Sequence, residues 1–317
     1  MKCLVTGANG FIGTHLVRYL LDAGHEVKAV DSSGRGIAGK RLERVQVARS
    51  TVDSAIWQTV CRDVEVIFHL AGRAHRRNNT SASLRSAYFR DNLEMTHALA
   101  EAALREQVRR FVFASSVTVY GTASAPGEAF QEDSPVLPHP GDIYAQSKRA
   151  AEAFLLSDCT ALGPVVVRLP LVYGAGVKGN MAMLIRLASS GLPLPLAGIN
   201  NRRSFLNIPN CVDFFLAAAS HPDAGGRVLL ASDREDVTIP DLIRAIARES
   251  GKSARLFPVP SELLKMACSL LGQKARFEKL AGNFQIDPEA SCNFLNWSPK
   301  VGFAEGIAQM CAEYRGS

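Results

Sequence analysis

The feature that most constrains the fold is a run of evenly spaced glycines near the N-terminus. Gly7, Gly10 and Gly13 directly follow the strand-like segment Lys2–Thr6 and stand where a helical pattern begins. Glycine lets the backbone turn tightly, so a pyrophosphate can approach the helix N-terminus, where free N–H groups and the helix dipole favour negative charge. The spacing therefore predicts a strand–turn–helix unit that binds a dinucleotide. The predicted contact residues are Gly7, Asn9, Gly10, Phe11, Ile12 and Gly13.

A carboxylate at the end of the second predicted strand bears on the choice of cofactor. Asp31 lies eighteen positions after Gly13, where its side chain can accept hydrogen bonds from an adenosine ribose. A carboxylate there repels a 2′-phosphate, so NAD is favoured. Two alternatives stay open: a glycine-rich turn without a ligand, and NADP bound with the help of Arg35 in the adjoining loop.

Short β-branched segments alternate with longer segments of helical period through the first half of the chain. This pattern is typical of an α/β fold with a Rossmann-type, doubly wound parallel sheet. The predicted strands are Lys2–Thr6, Glu26–Asp31, Arg44–Ala48, Glu65–Leu70, Arg109–Ser115 and Pro164–Arg168. The predicted helices between them are Ile12–Ala23, Ser54–Cys61, Leu84–Glu106 and Ile143–Ala161.

Glycine and proline become frequent after Arg168, which indicates loops and the end of the regular sheet. We expect a first domain over residues 1–170, rejoined by about residues 205–232. Residues 171–204 and 233–317 then form a smaller C-terminal α/β domain.

Composition excludes several classes of protein. The 36 Lys and Arg residues outnumber the 30 Asp and Glu, but they are scattered, which suits an anionic ligand and gives no support for nucleic-acid binding. The sequence has no apolar run long enough for a membrane span and no secretion signal, so we expect a cytoplasmic protein. Its seven cysteines form no C-x-x-C pair, which argues against a metal site and for a reducing compartment.

Three residues in the middle of the chain suggest acid–base chemistry. Lys148 follows Tyr144 by four positions, so on a helix both side chains share one face, where the ammonium can lower the pKa of the phenol. Ser116, at the end of the fifth predicted strand, could share a substrate oxygen with Tyr144. The pair alone is a weak motif, and a serine there could also simply form a turn.

These residues resemble the extended short-chain dehydrogenase/reductases that modify nucleotide sugars, and the resemblance covers nearly the whole chain. The matching motifs, in order, are Gly7-x-x-Gly10-x-x-Gly13, His69-Leu70-Ala71-Gly72, Asn92 with Thr96, Ser116 with Val119-Tyr120-Gly121, Tyr144-x-x-x-Lys148, Arg168, Val172-Tyr173-Gly174 and Arg203-Ser204-Phe205. The resemblance implies that the C-terminal domain binds a nucleotide diphosphate.

The resemblance also implies roles for individual residues. Tyr144 would be the general acid/base, Lys148 would bind the nicotinamide ribose, and Ser116 would bind the sugar hydroxyl or carbonyl. Further cofactor contacts would come from Leu70, Ala71, Gly72, Asn92 and Ser115. Substrate contacts would come from Ser116, Thr118, Asn180 and Arg203, although Asn180 could be a turn residue and Arg203 a surface arginine.

The sequence departs from the family's pattern at informative positions. Members that eliminate water have Asp and Glu after the active-site hydroxyl, and Val117 with Thr118 at these positions argues against 4,6-dehydratase activity. Ser204 and Pro209-Asn210 stand where other members of the family have acidic residues. The sequence therefore does not determine which residues form the wall of the substrate pocket.

Two segments, Ala71–Arg77 and Leu192–Leu196, resemble a bacterial subgroup that acts at C4 of UDP-linked hexoses in surface polysaccharide synthesis. The first is a basic cluster that could shape access to the sugar site, although a solvated loop is the favoured interpretation. We expect an NAD-dependent UDP-hexose 4-epimerase, with a 4-ketoreductase as the close alternative. A non-catalytic dinucleotide sensor and a reductase for steroids or flavonoids are the other hypotheses.

The resemblance further suggests a homodimer packed through the Leu84–Glu106 and Ile143–Ala161 helices, whose apolar faces could equally be covered within one chain.

Overall fold

The computed structural model describes residues 1–34, 36, 38–74 and 81–315. Ten strands form two sheets. In chain order they are Lys2–Thr6 (β1), Glu26–Asp31 (β2), Leu42–Gln46 (β3), Val66–His69 (β4), Arg110–Ser116 (β5), Pro164–Leu169 (β6), Leu171–Tyr173 (β7), Arg203–Asn207 (β8), Val228–Leu230 (β9) and Asp236–Val237 (β10).

The larger sheet has seven strands in the order β3-β2-β1-β4-β5-β6-β9. Every pairing in it is parallel. The chain reverses its direction of travel across the sheet between β1 and β4, where open α/β sheets bind ligands at the carboxyl ends of their strands. The predicted Rossmann-type, doubly wound α/β fold is therefore confirmed.

Helices cover both faces of this sheet. In chain order the helices are Phe11–Asp22 (α1), Ser54–Cys61 (α2), Ala82–Phe89 (α3), Met95–Arg105 (α4), Ile143–Asp158 (α5), Asn180–Ser189 (α6), Ile208–Ser220 (α7), Ile239–Glu249 (α8), Ser261–Leu270 (α9), Lys274–Ala281 (α10), Glu289–Leu295 (α11) and Phe303–Arg315 (α12). On one face α1 and α7 pack against the sheet. On the other face α2, α4 and α5 do so, which gives the two apolar layers that a doubly wound sheet requires.

The predicted helix Leu84–Glu106 is interrupted. Between α3 and α4 the residues Arg90–Glu94 form a π-helical turn, a widening that occurs mostly as a single turn inside a longer helix. Two polar side chains of this turn, Asp91 and Asn92, are buried. Helical periodicity cannot predict such an interruption, because its cause is the set of tertiary contacts that these two side chains make.

The smaller sheet has the order β10-β8-β7. It packs with α6, α8 and α12 around a separate apolar cluster. Residues 205–207 pair within this sheet, whereas α7 and β9 pack with the larger one. The division into two domains stays a prediction. Within the described ranges, no helix is long and apolar enough to cross a membrane.

Candidate active site

The three glycines form a turn that no side chain could enter. Gly7 has a φ of +67°, and its carbonyl accepts a hydrogen bond of 2.8 Å from the Gly10 N–H. A Cβ atom on Gly13 would lie 2.1 Å from that carbonyl oxygen, and one on Gly7 would lie 2.9 Å from the backbone nitrogen of Ala71. The N–H groups in the first turn of α1 have no intrahelical partner. This arrangement fits the pyrophosphate of a dinucleotide.

Asp31 lies at the carboxyl end of β2 and is held by the loop that follows. Its Oδ1 atom accepts hydrogen bonds from the backbone and hydroxyl of Ser33, both at 2.6 Å, and from Gly34 N–H at 2.9 Å. The Asn9 amide donates to the Ser33 hydroxyl at 2.8 Å, so this turn is tied to the glycine turn. Oδ2 of Asp31 is the oxygen suited to a ribose hydroxyl. Arg35 lies outside the described residues.

A buried histidine connects β1, β4 and α4. Thr96 donates its hydroxyl proton to the Asn92 carbonyl at 2.7 Å, so it must accept from Nε2 of His69 at 2.9 Å. Nδ1 of His69 is then the acceptor for the Thr6 hydroxyl at 2.7 Å, and Thr6 in turn accepts from the Ala71 N–H at 3.1 Å. Burial, with Lys148 nearby, lowers the pKa of His69 to about 3, so the ring is neutral.

This network fixes the backbone after β4, which lies against the glycine turn. Thr6 was not among the residues predicted from the sequence. The signal that could have found it is a polar side chain at the end of an otherwise apolar strand, directly before the first glycine.

Asn92 holds the next part of that loop against α5. Its Oδ1 accepts from the Arg73 N–H at 2.6 Å, and its amide nitrogen donates to the Arg73 carbonyl at 3.2 Å and to the Ser147 hydroxyl at 2.8 Å. A Cβ atom on Gly72 would lie 2.7 Å from Asn92 Oδ1 and 3.4 Å from Lys148 Nζ. Asn92 thus positions the loop, and its predicted contact with a cofactor stays a prediction.

Arg73 corrects part of the expectation for the basic cluster. Its Nε and Nη2 atoms both lie 2.7 Å from Oδ2 of Asp91, a carboxylate that is 3% exposed. Arg73 is therefore an anchored side chain, because a buried carboxylate needs a paired charge, and it is not part of a freely solvated loop. The remaining basic residues of the cluster, His75, Arg76 and Arg77, lie outside the described residues.

The structure brings together the predicted catalytic hydroxyls. Ser116, the last residue of β5, lies close enough to Tyr144, in the first turn of α5, for its hydroxyl to lower the phenol pKa. Ser116 Oγ also accepts from the Thr118 hydroxyl at 3.0 Å, so its own proton is available to Tyr144 or a substrate oxygen. Asp142 caps α5 by accepting from Ala145 N–H at 3.0 Å, which fixes where the helix begins and therefore where Tyr144 lies.

The lowered phenol pKa that the Tyr144–Lys148 spacing predicts is wrong for this structure. Burial raises the pKa of Tyr144 to about 12, and the nearby hydroxyl of Ser116 only partly opposes this effect. Lys148 instead donates to the carbonyl of Ala114 at 2.8 Å, with its Nζ 4.4 Å from the centre of the Phe113 ring. Burial lowers the pKa of Lys148 to about 8, although the negative charge of Glu152 acts to raise it.

Glu152 is a site residue that was not predicted from the sequence. It is fully buried one helical turn after Lys148 and forms an ion pair of 2.8 Å with Arg168. Ser115 donates its hydroxyl to the same carboxylate, so Glu152 joins a buried network behind the residues predicted to be catalytic. Arg168 also donates to the Tyr120 hydroxyl at 2.7 Å. The four-residue spacing from Lys148 was the available signal.

The predicted substrate ligands lie in the smaller sheet and its helices. Nη1 of Arg203, in β8, donates to the carbonyls of Lys279 and Gly282 at 2.8 and 2.9 Å, and burial lowers its pKa to about 10. Arg203 therefore holds the C-terminal end of α10, and its Nε and Nη2 atoms remain for a phosphate. The backbone of Asn180 begins α6. Its side chain lies outside the described part of the structure.

Two residues that depart from the family's pattern form side-chain hydrogen bonds within the fold. Ser204 donates to Asp236 at 2.5 Å and accepts from Ile286 N–H at 3.0 Å. Asn210 donates to Asp233 at 2.7 Å. Both side chains therefore bond within the fold.

Comparison with known proteins agrees with this geometry. A family model described as "NAD dependent epimerase/dehydratase family" matches residues 3–231. The chain is 33% identical over 310 residues to a UDP-glucose 4-epimerase of Vibrio cholerae, covering 96% of this chain and 93% of the relative. It is 26% identical to MoeE5, solved in complex with UDP-glucuronic acid and NAD, with a TM-score of 0.79 and coverage of 100% and 99%. It is 25% identical to the UDP-glucose 4-epimerase of Thermus thermophilus in complex with NAD, with a TM-score of 0.78 and full coverage of both chains.

Proposed function

The chain belongs to the NAD dependent epimerase/dehydratase family, and we propose that within this family it is a UDP-hexose 4-epimerase. The observation that carries the proposal is the position of Ser116 beside Tyr144 at the carboxyl edge of the sheet, where the glycine turn also lies. Lys148 is buried one turn further along the same helix. The 33% identical relative named UDP-glucose 4-epimerase supports the choice of reaction.

The residues of the site divide the chemistry between them. Tyr144 takes the proton of the C4 hydroxyl and later returns it, while Ser116 holds the same oxygen and is itself held by Thr118. Bound NAD supplies the hydride acceptor and donor, and its positive ring would lower the phenol pKa from about 12. Thr118, Asn180 and Arg203 are the proposed substrate ligands.

Two features support an epimerase over the other reactions of the family. The position after Ser116 is Val117, a buried apolar residue that can act as neither acid nor base in the elimination of water. Asp31 disfavours a 2′-phosphate, and an epimerase regenerates its NAD in every cycle, so it needs no supply of NADPH. A 4-ketoreductase acting on a UDP-4-keto-6-deoxy-hexose is the second candidate, because it would use the same catalytic residues.

One experiment separates these candidates. The purified protein is denatured, any released dinucleotide is identified by mass, and the native protein is then given UDP-hexoses without added cofactor. Bound NAD together with interconversion of C4 epimers is the expected result. An empty protein that turns over only a 4-keto UDP-sugar with NAD(P)H would replace the epimerase with the ketoreductase. Dinucleotide binding without turnover of either substrate would indicate a sensor.

The nucleotide part of the substrate is tested at Arg203. We expect Arg203→Ala to weaken UDP binding at least about tenfold, because a guanidinium–phosphate hydrogen bond contributes on the order of 1.5–3 kcal/mol. NAD affinity should stay the same. Calorimetric titration with each ligand measures both effects, with Arg202→Ala as the control next to it in sequence. Unchanged UDP affinity would remove Arg203 from the substrate site and would favour a substrate without a diphosphate.

The proposal includes a homodimer in the cytoplasm that makes a precursor of surface polysaccharide. The α3–α4 segment lies beside α5, with Arg85 donating to Gln146 at 2.8 Å and His97 stacked on Phe154. Within the described residues these helices have no large apolar side chain that is highly exposed, so a partner would meet mostly polar and partly buried groups. Light scattering after size exclusion tests the dimer, and a mass near 34 kDa would reject it.

A further inference from the structure

An apolar helix face in the C-terminal part of the chain is left exposed by the residues that the structure describes. None of the residues of α9 is buried. Four large apolar side chains on and directly after this helix are each more than half exposed, namely Leu263 (52%), Met266 (58%), Leu270 (83%) and Leu271 (75%). Their positions i, i+3, i+7 and i+8 lie on one face of a helix. We refer to these four residues as the α9 stripe.

The adjoining face of α9 accounts for its packing within the chain. Leu264 and Cys268 are half-buried there, and Lys265 forms an ion pair with Glu278 of α10 at 3.8 Å. Among the described residues, the α9 stripe belongs to none of the apolar clusters that form the core. Single exposed apolar residues are ordinary, whereas a continuous apolar face of this kind marks a binding surface.

The segment of the sequence that contains the stripe has an excess of positive charge. Residues 251–282 contain six Lys or Arg and two Glu. Lys252 and Arg255, in the segment that leads into α9, are exposed, and Phe257 beside them is 43% exposed. An apolar helix face flanked by cations is the pattern of a helix that lies in the interface of a membrane with anionic lipids.

We propose that the α9 stripe docks this protein on an anionic lipid surface, with the helix lying along the surface. Charge decides between this occupant and a second copy of the chain. A two-fold contact through the same face would bring two segments of equal positive charge together, whereas phosphate headgroups neutralise them. The acyl chains then accept the side chains of the stripe.

The stripe is linked to the substrate side of the site. The carbonyl of Lys279 in α10, the helix that packs against α9, accepts from Arg203, and the Lys279 ammonium lies 3.3 Å from Asp142 at the start of α5. Docking through the stripe would thus hold the substrate side of the protein close to the lipid surface. The inference does not depend on which sugar is the substrate.

The test is co-sedimentation of the full-length protein with vesicles. We expect binding to phosphatidylcholine vesicles that contain about one-third phosphatidylglycerol, and at least roughly tenfold weaker binding to pure phosphatidylcholine, because each Lys or Arg near an anionic surface adds favourable energy. High salt should weaken the binding to anionic vesicles.

A double variant, Leu270→Ser with Leu271→Ser, tests the stripe itself. Both side chains are more than 70% exposed, so the fold should tolerate the change, and we expect at least roughly tenfold weaker vesicle binding. Leu137→Ser, at a leucine that is 71% exposed elsewhere, is the matched control and should bind as the wild type does. NAD content and thermal unfolding of each variant establish that it is folded.

Three results would overturn the inference. The first is no sedimentation of the wild type with anionic vesicles. The second is equal binding by the double variant and the wild type. The third is a dimer in light scattering that the double variant alone abolishes, since the stripe would then be covered by a second copy. None of these results bears on epimerase activity, which is measured with soluble UDP-hexoses.

Discussion

At the scale of single residues, the surroundings of each ionisable group determine what it can do. Tyr144 and Lys148 are one helical turn apart, yet burial moves the pKa of the phenol up to about 12 and that of the ammonium down to about 8. Burial disfavours the charged form of each group, which is why the two pKa values move in opposite directions. Ser116 and Glu152 partly oppose these shifts.

The role of Tyr144 is tested by removing only its hydroxyl. We expect Tyr144→Phe to lower turnover at least about a hundredfold, because the proton acceptor is lost. NAD affinity should be nearly unchanged, since the ring and the glycine turn remain. Steady-state kinetics and calorimetry measure the two quantities. Tyr314→Phe, at a residue whose hydroxyl contacts Arg186 at 2.7 Å, is the matched control, and turnover by Tyr144→Phe equal to that of this control would exclude Tyr144 from the reaction.

Glu152 is predicted to set the pH range of Lys148. Burial lowers the pKa of Lys148 to about 8, and the negative charge of Glu152 raises it. In Glu152→Gln the raising effect is gone, so the ammonium should lose its proton at a lower pH. We expect the alkaline decline of NAD affinity to move down by about one pH unit, measured by titrations across neutral and alkaline pH. The control is Glu128→Gln, at an exposed loop position, and it should show the alkaline decline of NAD affinity at the same pH as the wild type. A Glu152→Gln profile equal to that of Glu128→Gln would contradict the prediction.

At the scale of elements, two turns position the site, and each depends on a different property of the chain. The β1–α1 turn depends on absent side chains, because Cβ atoms at Gly7 and Gly13 would collide with backbone. The π-helical turn Arg90–Glu94 depends on buried polar side chains, since Asn92 and Asp91 both bind Arg73. The first kind of turn is visible as spacing in the sequence, and the second is not.

The glycine turn gives a prediction about an element. We expect Gly13→Ala to lower the free energy of unfolding by about 1–3 kcal/mol, because the added methyl group must displace the Gly7 carbonyl. NAD affinity should fall as well, since that shift distorts the turn that binds the pyrophosphate. Gly302→Ala is the control, because a Cβ atom there meets nothing within 4 Å. Urea unfolding and NAD titration of both variants test this prediction. Equal free energies of unfolding and equal NAD affinities in the two variants would mean that α1 can shift to accommodate the methyl group without destabilising the fold.

At the scale of the whole molecule, buried polar groups join the two sheets. Asp233 follows β9 of the larger sheet and accepts from the backbone of Asn207, the last residue of β8 in the smaller sheet, at 2.9 and 3.0 Å. Asn210 of α7 donates to the same carboxylate and to the carbonyl of Val301. The Asp233 carboxylate thus helps to hold the C-terminal segment in place against the larger sheet.

That carboxylate predicts how stability depends on pH. Burial raises the pKa of Asp233 from 3.8 to about 6, so the folded state binds a proton between these values more readily than the unfolded state does. The stability from this group is complete below pH 3.8 and is lost as pH rises through about 6. As pH rises from mildly acidic to mildly alkaline, we expect the free energy of unfolding to fall less in Asp233→Asn than in the wild type. Urea unfolding at both values tests this, with Asp63→Asn at an exposed position as the control. Parallel pH profiles for Asp233→Asn and the wild type would show that Asp233 is not responsible.

Local patterns along the chain were enough to predict the layers of the fold and to nominate candidate catalytic residues. Hydrophobic periodicity indicated the parallel sheet with helices on both faces, three glycines indicated the dinucleotide turn, and the spacing of Tyr144 and Lys148 placed two residues on one helical face. Which groups those residues meet depends on tertiary packing. Ser115 meets Glu152 across 37 positions, Thr6 meets His69 across 63, and Arg203 meets Lys279 across 76. Hydrogen bonds over such separations depend on how the strands are ordered and how the helices pack. That is why the sequence could nominate Ser116, Tyr144 and Lys148 as catalytic residues, while their pKa values and partners depend on the fold.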